Sequence, residues 1–130
     1  MCILCLVINP NNPSTELFTQ DQLLKLLAVL QGGQGQLLVD EAFMDSCANH
    51  SLCNLLADQC CPEGLIILRS VGKFFGLAGI RLGFVIASED FIQRLEQQLS
   101  PWAVNHVARW VGQRALIDIS WQQQQRQRLV

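Results

Sequence analysis

The residue with the clearest capacity for covalent chemistry is Lys73, one of two lysines in this chain of 130 residues. It follows an apolar stretch and stands between Gly72 and the pair Phe74-Phe75. A lysine amine among apolar groups loses hydration, which favours the neutral form that acts as a nucleophile. On residue chemistry alone, a surface or structural lysine explains Lys73 equally well. Lys25 lies in a stretch with helical spacing and is most simply a solvent-facing residue.

Polar residues follow three apolar stretches at the points where those stretches end: residues 9–12, Asp40 and Ser70. In parallel sheets, ligands bind at the carboxyl ends of the strands. We therefore expect these side chains and Lys73 to face one cavity at one edge of a sheet. Simpler explanations exist, because Asn12 could form an Asx-turn and Asp40 could cap a helix or turn.

The elements that must position these residues alternate along the chain. Apolar, buried strands are predicted at 3–8, 36–39, 65–68 and 81–87, and helices at 19–30, at 88–99 and from 103 to the C-terminus. Thr19 or Asp21 could cap the first helix, Gly32-Gly33 ends it, and Ser88 could cap the second. The pattern predicts an α/β fold with a mainly parallel sheet and flanking helices. Helical spacing predicts buried faces at Leu23, Leu26, Leu27 and Leu30 and at Val104, Val107, Ala108, Val111, Ala115, Leu116 and Ile119.

Composition excludes several classes of function. Half of the residues are hydrophobic and the formal charge is −2 with no basic stripe, so we expect no nucleic-acid partner. No apolar run reaches the ~20 residues of a membrane span. Met1 leads into an apolar run without a basic segment or a cleavage site, which predicts a cytoplasmic protein with six reduced cysteines. Cys2 and Cys5 would point to opposite faces of a strand, and we expect no metal site.

Three motifs together resemble the fold-type I pyridoxal-phosphate enzymes. They are residues 9–13 (Asn-Pro-Asn-Asn-Pro), residues 39–45 (Val-Asp-Glu-Ala-Phe-Met-Asp) and residues 70–83 (Ser-Val-Gly-Lys-Phe-Phe-Gly-Leu-Ala-Gly-Ile-Arg-Leu-Gly). Their order and spacing are similar to the histidinol-phosphate aminotransferase branch. Within that branch, residues 40–45 and 101–105 look most like the threonine-phosphate decarboxylases of cobalamin biosynthesis. The resemblance implies that residues 1–130 are part of the large, cofactor-binding domain, with the N-terminal part and the C-terminal small domain missing.

The resemblance also implies a role for each of five residues toward pyridoxal 5'-phosphate. Lys73 would bond to the cofactor aldehyde, and Asp40 would pair with the pyridinium nitrogen and keep it protonated. Asn12 would donate to the phenolic oxygen of the cofactor. Ser70 and Arg81 would hold the phosphate, although a surface ion pair is the ordinary explanation of such an arginine.

Three positions depart from the family pattern. Phe43 stands where many relatives have a tyrosine, Gly72 where Ser or Thr commonly contacts the phosphate, and Thr15 where a glycine is usual. The decarboxylase branch tolerates phenylalanine at the first of these positions. The change therefore supports that subgroup.

The resemblance implies decarboxylation of L-threonine O-3-phosphate to aminopropanol phosphate, impaired in a chain of this length. The substrate would be an amino acid phosphate, and the family suggests a homodimer. A histidinol-phosphate-type aminotransferase and a non-catalytic remnant are the alternatives. The high apolar content predicts faces that pack against segments outside the chain.

Overall fold

A computed structural model describes residues 3–56 and 59–129 of the chain. The described residues form four strands and four α-helices. They are β1 (Leu4–Ile8), α1 (Gln20–Gly32), β2 (Gln36–Asp40), β3 (Leu65–Ser70), β4 (Gly83–Ala87), α2 (Glu89–Glu96), α3 (His106–Ile117) and α4 (Ile119–Leu129). Short 3₁₀-helices lie at Met44–His50, Leu52–Leu56 and Ala78–Ile80.

In the described part of the chain, the strands form one sheet in the order β1-β2-β3-β4. β1, β2 and β3 run parallel, and β4 runs antiparallel to β3. The register sets Ile8 opposite Asp40 and Asp40 opposite Leu68, and it sets Ser70 opposite Gly83. The carboxyl ends of the three parallel strands and the start of β4 therefore share one edge. The predicted α/β class with a mainly parallel sheet is confirmed.

The first apolar core lies between α1 and the sheet. Leu23 and Leu27 of α1 are buried against β2 and β3, and Leu26 and Leu30 are partly buried beside them. These are the four leucines that helical spacing assigned to one face. Burial of this face is what holds α1 on the sheet, because isolated helices of this length are marginal in water.

Thr19 fixes the start of α1, one of the two caps that the sequence allows. Its hydroxyl accepts a hydrogen bond from the Gln22 N–H, and the Gln22 side chain accepts one from the Thr19 N–H. This reciprocal capping box satisfies two of the unpaired amides at the helix start. The helix ends at Gly32, as the glycine pair predicts.

A second apolar cluster lies under the segment that follows β3. Val71, Phe74 and Phe75 are buried there against residues of α3 and α4, including Trp121. The ring centroids of Phe74 and Phe75 each lie 5.7 Å from that of Trp121. This contact anchors the segment that carries Lys73 to the C-terminal helices.

The prediction of one continuous C-terminal helix is wrong. The helix is interrupted at Asp118, whose backbone leaves helical geometry (φ −82°, ψ 74°). The Asp118 carboxylate accepts a hydrogen bond from the Trp121 N–H and caps α4. Of the predicted apolar face, Ala108 is buried, whereas Val107 and Ile119 are exposed.

The prediction that the first strand is buried is also wrong for one face of β1. Leu4, Leu6 and Ile8 point to one face and are 56%, 60% and 38% exposed. β1 is one of the two edge strands of the sheet, and no described element covers that face. The fourth strand begins at Gly83, two residues later than predicted, because Arg81 takes a left-handed conformation (φ +56°) after the 3₁₀-helix Ala78–Ile80. No helix in the described ranges is long and apolar enough to span a membrane.

Candidate active site

The segments that carry the five predicted site residues all lie at one edge of the sheet, namely the end where the parallel strands β1, β2 and β3 terminate and β4 begins. Asp40 is the last residue of β2 and Ser70 the last of β3, and Lys73 follows three residues later. Asn12 lies in the turn after β1. Arg81 precedes β4, which starts at this same edge because it runs antiparallel to β3. The topology therefore brings together residues from four separate strand ends.

Lys73 lines a cavity of about 510 Å³ at this edge. Its Nζ lies 5.1 Å from the centroid of the Phe43 ring, which is a cation–π distance. The side chain is exposed, so the described residues do not remove it from water as the sequence suggested. The cavity is walled by Phe43, Ser46, Gly72, Lys73, Phe74, Gln125 and Leu129.

The Asp40 carboxylate is half-buried and points away from the α1 core. Its Oδ1 accepts a hydrogen bond of 2.9 Å from the Ala42 N–H, so the turn explanation holds for one oxygen. Among the described residues, Oδ2 accepts no hydrogen bond. One carboxylate oxygen is thus fixed by the backbone, and the other is left for a ligand.

Ser70 and Gly72 form a tight turn at the end of β3. The Ser70 hydroxyl accepts a hydrogen bond of 3.0 Å from the Gly72 N–H. A Cβ at Gly72 would lie 3.1 Å from the Ser70 Oγ and 3.4 Å from the Ala78 Cα. This crowding gives a physical reason for a glycine at this position.

Arg81 is exposed, and its Nη1 donates to the Ala78 carbonyl at 3.4 Å. It forms no ion pair with any described residue, so the surface ion pair is not what holds it. Its left-handed backbone follows the 3₁₀-helix and turns the chain into β4. A guanidinium without a carboxylate partner remains available at the sheet edge.

The five residues do not face a single cavity. Asn12 is exposed and lines a second cavity, of about 340 Å³, with its flanking prolines Pro10 and Pro13. That cavity and the Lys73 cavity share two wall residues, Phe43 and Ser46. Asp40, Ser70 and Arg81 line neither. The expectation of one shared edge agrees with the topology, whereas the expectation of one shared cavity does not.

A buried network of charges behind the site was missed in the sequence. Glu41 is fully buried and accepts hydrogen bonds from the Ser51 hydroxyl and, at 2.8 Å, from the Leu52 N–H. Arg69 donates to Glu41 at 3.0 Å through Nη1 and to Asp45 through Nη2. Two signals could have revealed it: an arginine inside an apolar strand and a glutamate at a strand end, since buried charges need partners.

The charge of Arg69 is stabilised by this network. Burial by itself would lower the pKa of the guanidinium, but the Asp45 and Glu41 carboxylates raise that pKa above its ordinary value overall. Arg69 is therefore a permanent cation between two acidic partners.

The C-terminal helix α4 reaches the Lys73 cavity. Gln125 and Leu129 form part of the cavity wall. Arg126 is half-buried, with its Nε donating to the Asp45 carbonyl at 2.9 Å and its guanidinium 5.4 Å from the centroid of the Phe74 ring. The helix spacing could not show these contacts, because they depend on the break at Asp118.

Five of the six cysteines lie in the described residues, where none forms a disulfide. Cys2, and with it the C-x-x-C pair, lies outside the described residues. Burial, together with the neighbouring Cys53 and Glu63, raises the pKa of the Cys61 thiol to about 11. Within the described ranges, no three His, Cys, Asp or Glu side chains are grouped so as to hold a metal ion.

Comparison with known proteins places this arrangement in a family. The family model for aminotransferase class I and II matches residues 2–130. A threonine-phosphate decarboxylase of Pseudomonas aeruginosa is 50% identical over 123 residues, covering 93% of this chain and 34% of that protein. A histidinol-phosphate aminotransferase of Buchnera aphidicola is 36% identical over 99 residues, covering 76% of this chain and 26% of that protein. The chain thus spans about a third or less of the relatives it matches.

A solved structure gives the same result for the fold. The histidinol-phosphate aminotransferase of Sinorhizobium meliloti, crystallised in complex with pyridoxal-5'-phosphate, matches with a TM-score of 0.77 at 21% identity. The match covers 95% of this chain and 33% of that one. Because the family model spans nearly every residue, the chain belongs to the aminotransferase class I and II family.

Proposed function

We propose that the chain forms part of a pyridoxal-phosphate enzyme that decarboxylates L-threonine O-3-phosphate to aminopropanol phosphate in the cytoplasm, as a step of cobalamin biosynthesis. The observation that carries the proposal is the 50% identity to a threonine-phosphate decarboxylase over 93% of the chain. The histidinol-phosphate aminotransferase matches at 36% over 76%. Residues 1–130 would then be part of the cofactor-binding large domain, completed by an N-terminal part and a small domain and paired as a homodimer.

The residues at the sheet edge fit this cofactor chemically. A cofactor with an aldehyde, a basic ring nitrogen and a phosphate needs an amine, a carboxylate and a cation. Lys73 supplies an exposed amine, Asp40 a carboxylate oxygen without a partner among the described residues, and Arg81 an unpaired guanidinium. The Phe43 ring beside the Lys73 amine supplies an apolar wall.

Each of these residues has a separate task in the proposed reaction. When bound, pyridoxal phosphate supplies an electron sink for the pair of electrons left when carbon dioxide departs. Lys73 would hold the cofactor through Nζ, and its amine would carry the proton that the α-carbon takes up. Asp40 would keep a proton on the ring nitrogen by accepting its hydrogen bond. Arg81 and the Ser70 hydroxyl would bind the phosphate, and Asn12 would orient the ring through its phenolic oxygen.

Transamination of histidinol phosphate is the second candidate, and the 36% identical relative favours it. The same five residues serve both reactions. The outcome depends on which bond of the α-carbon stands perpendicular to the ring, and the groups that grip the substrate decide this. A remnant without catalytic activity is the third candidate.

A pair of chimeras tests the proposal. This chain replaces the matching third of the Pseudomonas aeruginosa decarboxylase in one chimera and the matching segment of the Buchnera aphidicola aminotransferase in the other. We expect the first chimera to release carbon dioxide from threonine phosphate, the second to transaminate poorly, and Lys73→Ala to abolish both activities. Transamination by the second chimera without decarboxylation by the first would favour the alternative. Two folded, inactive chimeras would favour the remnant.

A further inference from the structure

We propose that Arg69 is a positioning residue of the cofactor site, holding in place the three segments that carry Asp40, Phe43 and Lys73. This inference rests on the proposed function for its meaning, because the segments matter as parts of a cofactor site. Among the described residues, Arg69 makes no hydrogen bond or ion pair with a predicted cofactor-binding side chain. It acts through Glu41, Asp45 and Ser51, on the opposite face of the sheet from the site.

Strand alternation separates the network from the site. Successive side chains of a strand point to opposite faces, so Arg69 and Ser70 face opposite ways. At the end of β2, the Glu41 N–H donates to the Leu68 carbonyl at 2.9 Å, which continues the ladder by one residue beyond Asp40. The ion pair of Arg69 with Glu41 therefore ties the ends of β2 and β3 together directly behind Asp40 and Ser70.

The same guanidinium also fixes the segment that carries Phe43. Asp45 lies in the 3₁₀-helix Met44–His50, and its carboxylate binds Nη2 of Arg69. Ser51, at the end of that helix, accepts from Nη1 at 3.0 Å. Phe43 precedes this helix and forms the wall next to the Lys73 amine. One planar cation with donors on both arms thus connects β2, β3 and the helix after Phe43.

A merely stabilising role and a positioning role predict different results in a protein that remains folded. Lysine at position 69 keeps the charge that Glu41 requires, but its single ammonium cannot reproduce the two-armed contact to Glu41 and Asp45. Asp45→Asn leaves the Glu41 pair intact and removes only the charge on the second arm. Both variants should therefore keep the fold while releasing the site segments.

The experiment combines hydrogen exchange without cofactor and labelling with cofactor. We expect R69K and D45N to have circular dichroism like that of the wild type. Both variants should exchange backbone amides faster at residues 42–52, and R69K should also do so at residues 70–77. Neither variant should exchange faster in α1. With pyridoxal phosphate and borohydride, the ratio of label on Lys73 to label on Lys25 should fall about tenfold in R69K, since displacement by an ångström can cost that much or more. The matched control is R94M, which removes an exposed arginine paired with Asp90 and should change neither readout.

The outcomes separate this inference from the proposed function. Unchanged exchange and an unchanged labelling ratio in folded R69K and D45N would overturn the positioning role. If the wild type shows no preference for Lys73, the proposed cofactor site fails, and the exchange data alone decide whether Arg69 holds the segments. If R69K does not fold, D45N decides: faster exchange confined to residues 42–52 supports the proposal, and exchange like that of the wild type overturns it.

Discussion

At the scale of single residues, the buried carboxylate of Glu41 is a shared hydrogen-bond acceptor and charge partner for several neighbours. It is fully buried and receives hydrogen bonds from Arg69, Ser51 and the Leu52 N–H. Removing one partner of a buried ion pair leaves the other charge uncompensated. An exposed pair such as Arg94–Asp90 is well solvated and contributes little.

Glu41→Gln should therefore destabilise the chain strongly. We expect the free energy of unfolding to fall by about 3 kcal/mol or more, because the substitution removes the fully buried charge to which Arg69, Ser51 and the Leu52 N–H all donate. Asp90→Asn, in the exposed pair, should change the same quantity by less than about 0.5 kcal/mol. Urea unfolding followed by circular dichroism measures both. Equal, small effects of the two substitutions would show that the network adds little to stability.

The Cys61 thiol gives the chain a dependence of stability on alkaline pH. Its pKa rises from 9.0 to about 11 on folding, mainly through burial. Between these values the unfolded thiol loses its proton while the folded thiol keeps it, so the free energy of unfolding falls as pH rises. The fall should be no more than about 2 kcal/mol, since the side chain keeps some exposure.

Urea titrations under reducing conditions at several pH values from 8 to 11 test this dependence. Cys61→Ala should flatten the decline in that window. The matched control is Cys60→Ala, because the neighbouring Cys60 is exposed and should leave the decline as it is. If the free energy of unfolding still declines with pH in Cys61→Ala, another titrating group causes the decline.

At the scale of elements, the start of α1 depends on one side chain. The Thr19 hydroxyl accepts from the Gln22 N–H, whereas Ser88, at the same position before α2, makes no capping hydrogen bond. Thr19→Ala should lower the free energy of unfolding by about 1 kcal/mol, and Ser88→Ala by less than about half as much. Thermal or urea unfolding measures the difference. Equal losses would mean that the capping box does not stabilise α1.

The sequence predicts well those features that depend on local pattern. Four leucines at helical spacing and a threonine cap were enough to define α1, and the polar residues after apolar strands marked the site edge at Asp40 and Ser70. The break at Asp118 was not predictable from spacing, because the apolar pattern runs through it. The partners of Arg69 depend on strand register. The exposure of Leu6 depends on what covers β1, which its own apolar residues cannot show.

At the scale of the whole molecule, the proposed site offers charged groups for the cofactor but few for a substrate. Among the described residues, the wall of the Lys73 cavity contains no arginine, and Lys73 is its only cation. An amino acid phosphate carries a carboxylate and a phosphate, and each needs a charged partner to be oriented. Orientation of the reacting bond accounts for a large share of the catalytic effect in such sites.

We therefore expect the isolated chain to decarboxylate threonine phosphate roughly a thousandfold or more slowly than the Pseudomonas aeruginosa relative. The assay measures carbon dioxide release at saturating pyridoxal phosphate, with Lys73→Ala as the background. Turnover close to that of the relative would show that the described residues orient the substrate by themselves. Such a result would contradict the proposal that the described residues serve the cofactor but do not orient the substrate.

The most direct test of the account is the position at which pyridoxal phosphate bonds to the chain. The two lysines form an internal comparison, because Lys73 lies at the sheet edge beside Phe43 and Lys25 lies on the exposed surface of α1. The measurement is borohydride reduction with pyridoxal phosphate, followed by peptide mapping by mass spectrometry. The account predicts label concentrated on Lys73 and its loss in Asp40→Ala. Label on Lys25 alone, or equally on both lysines, would contradict it.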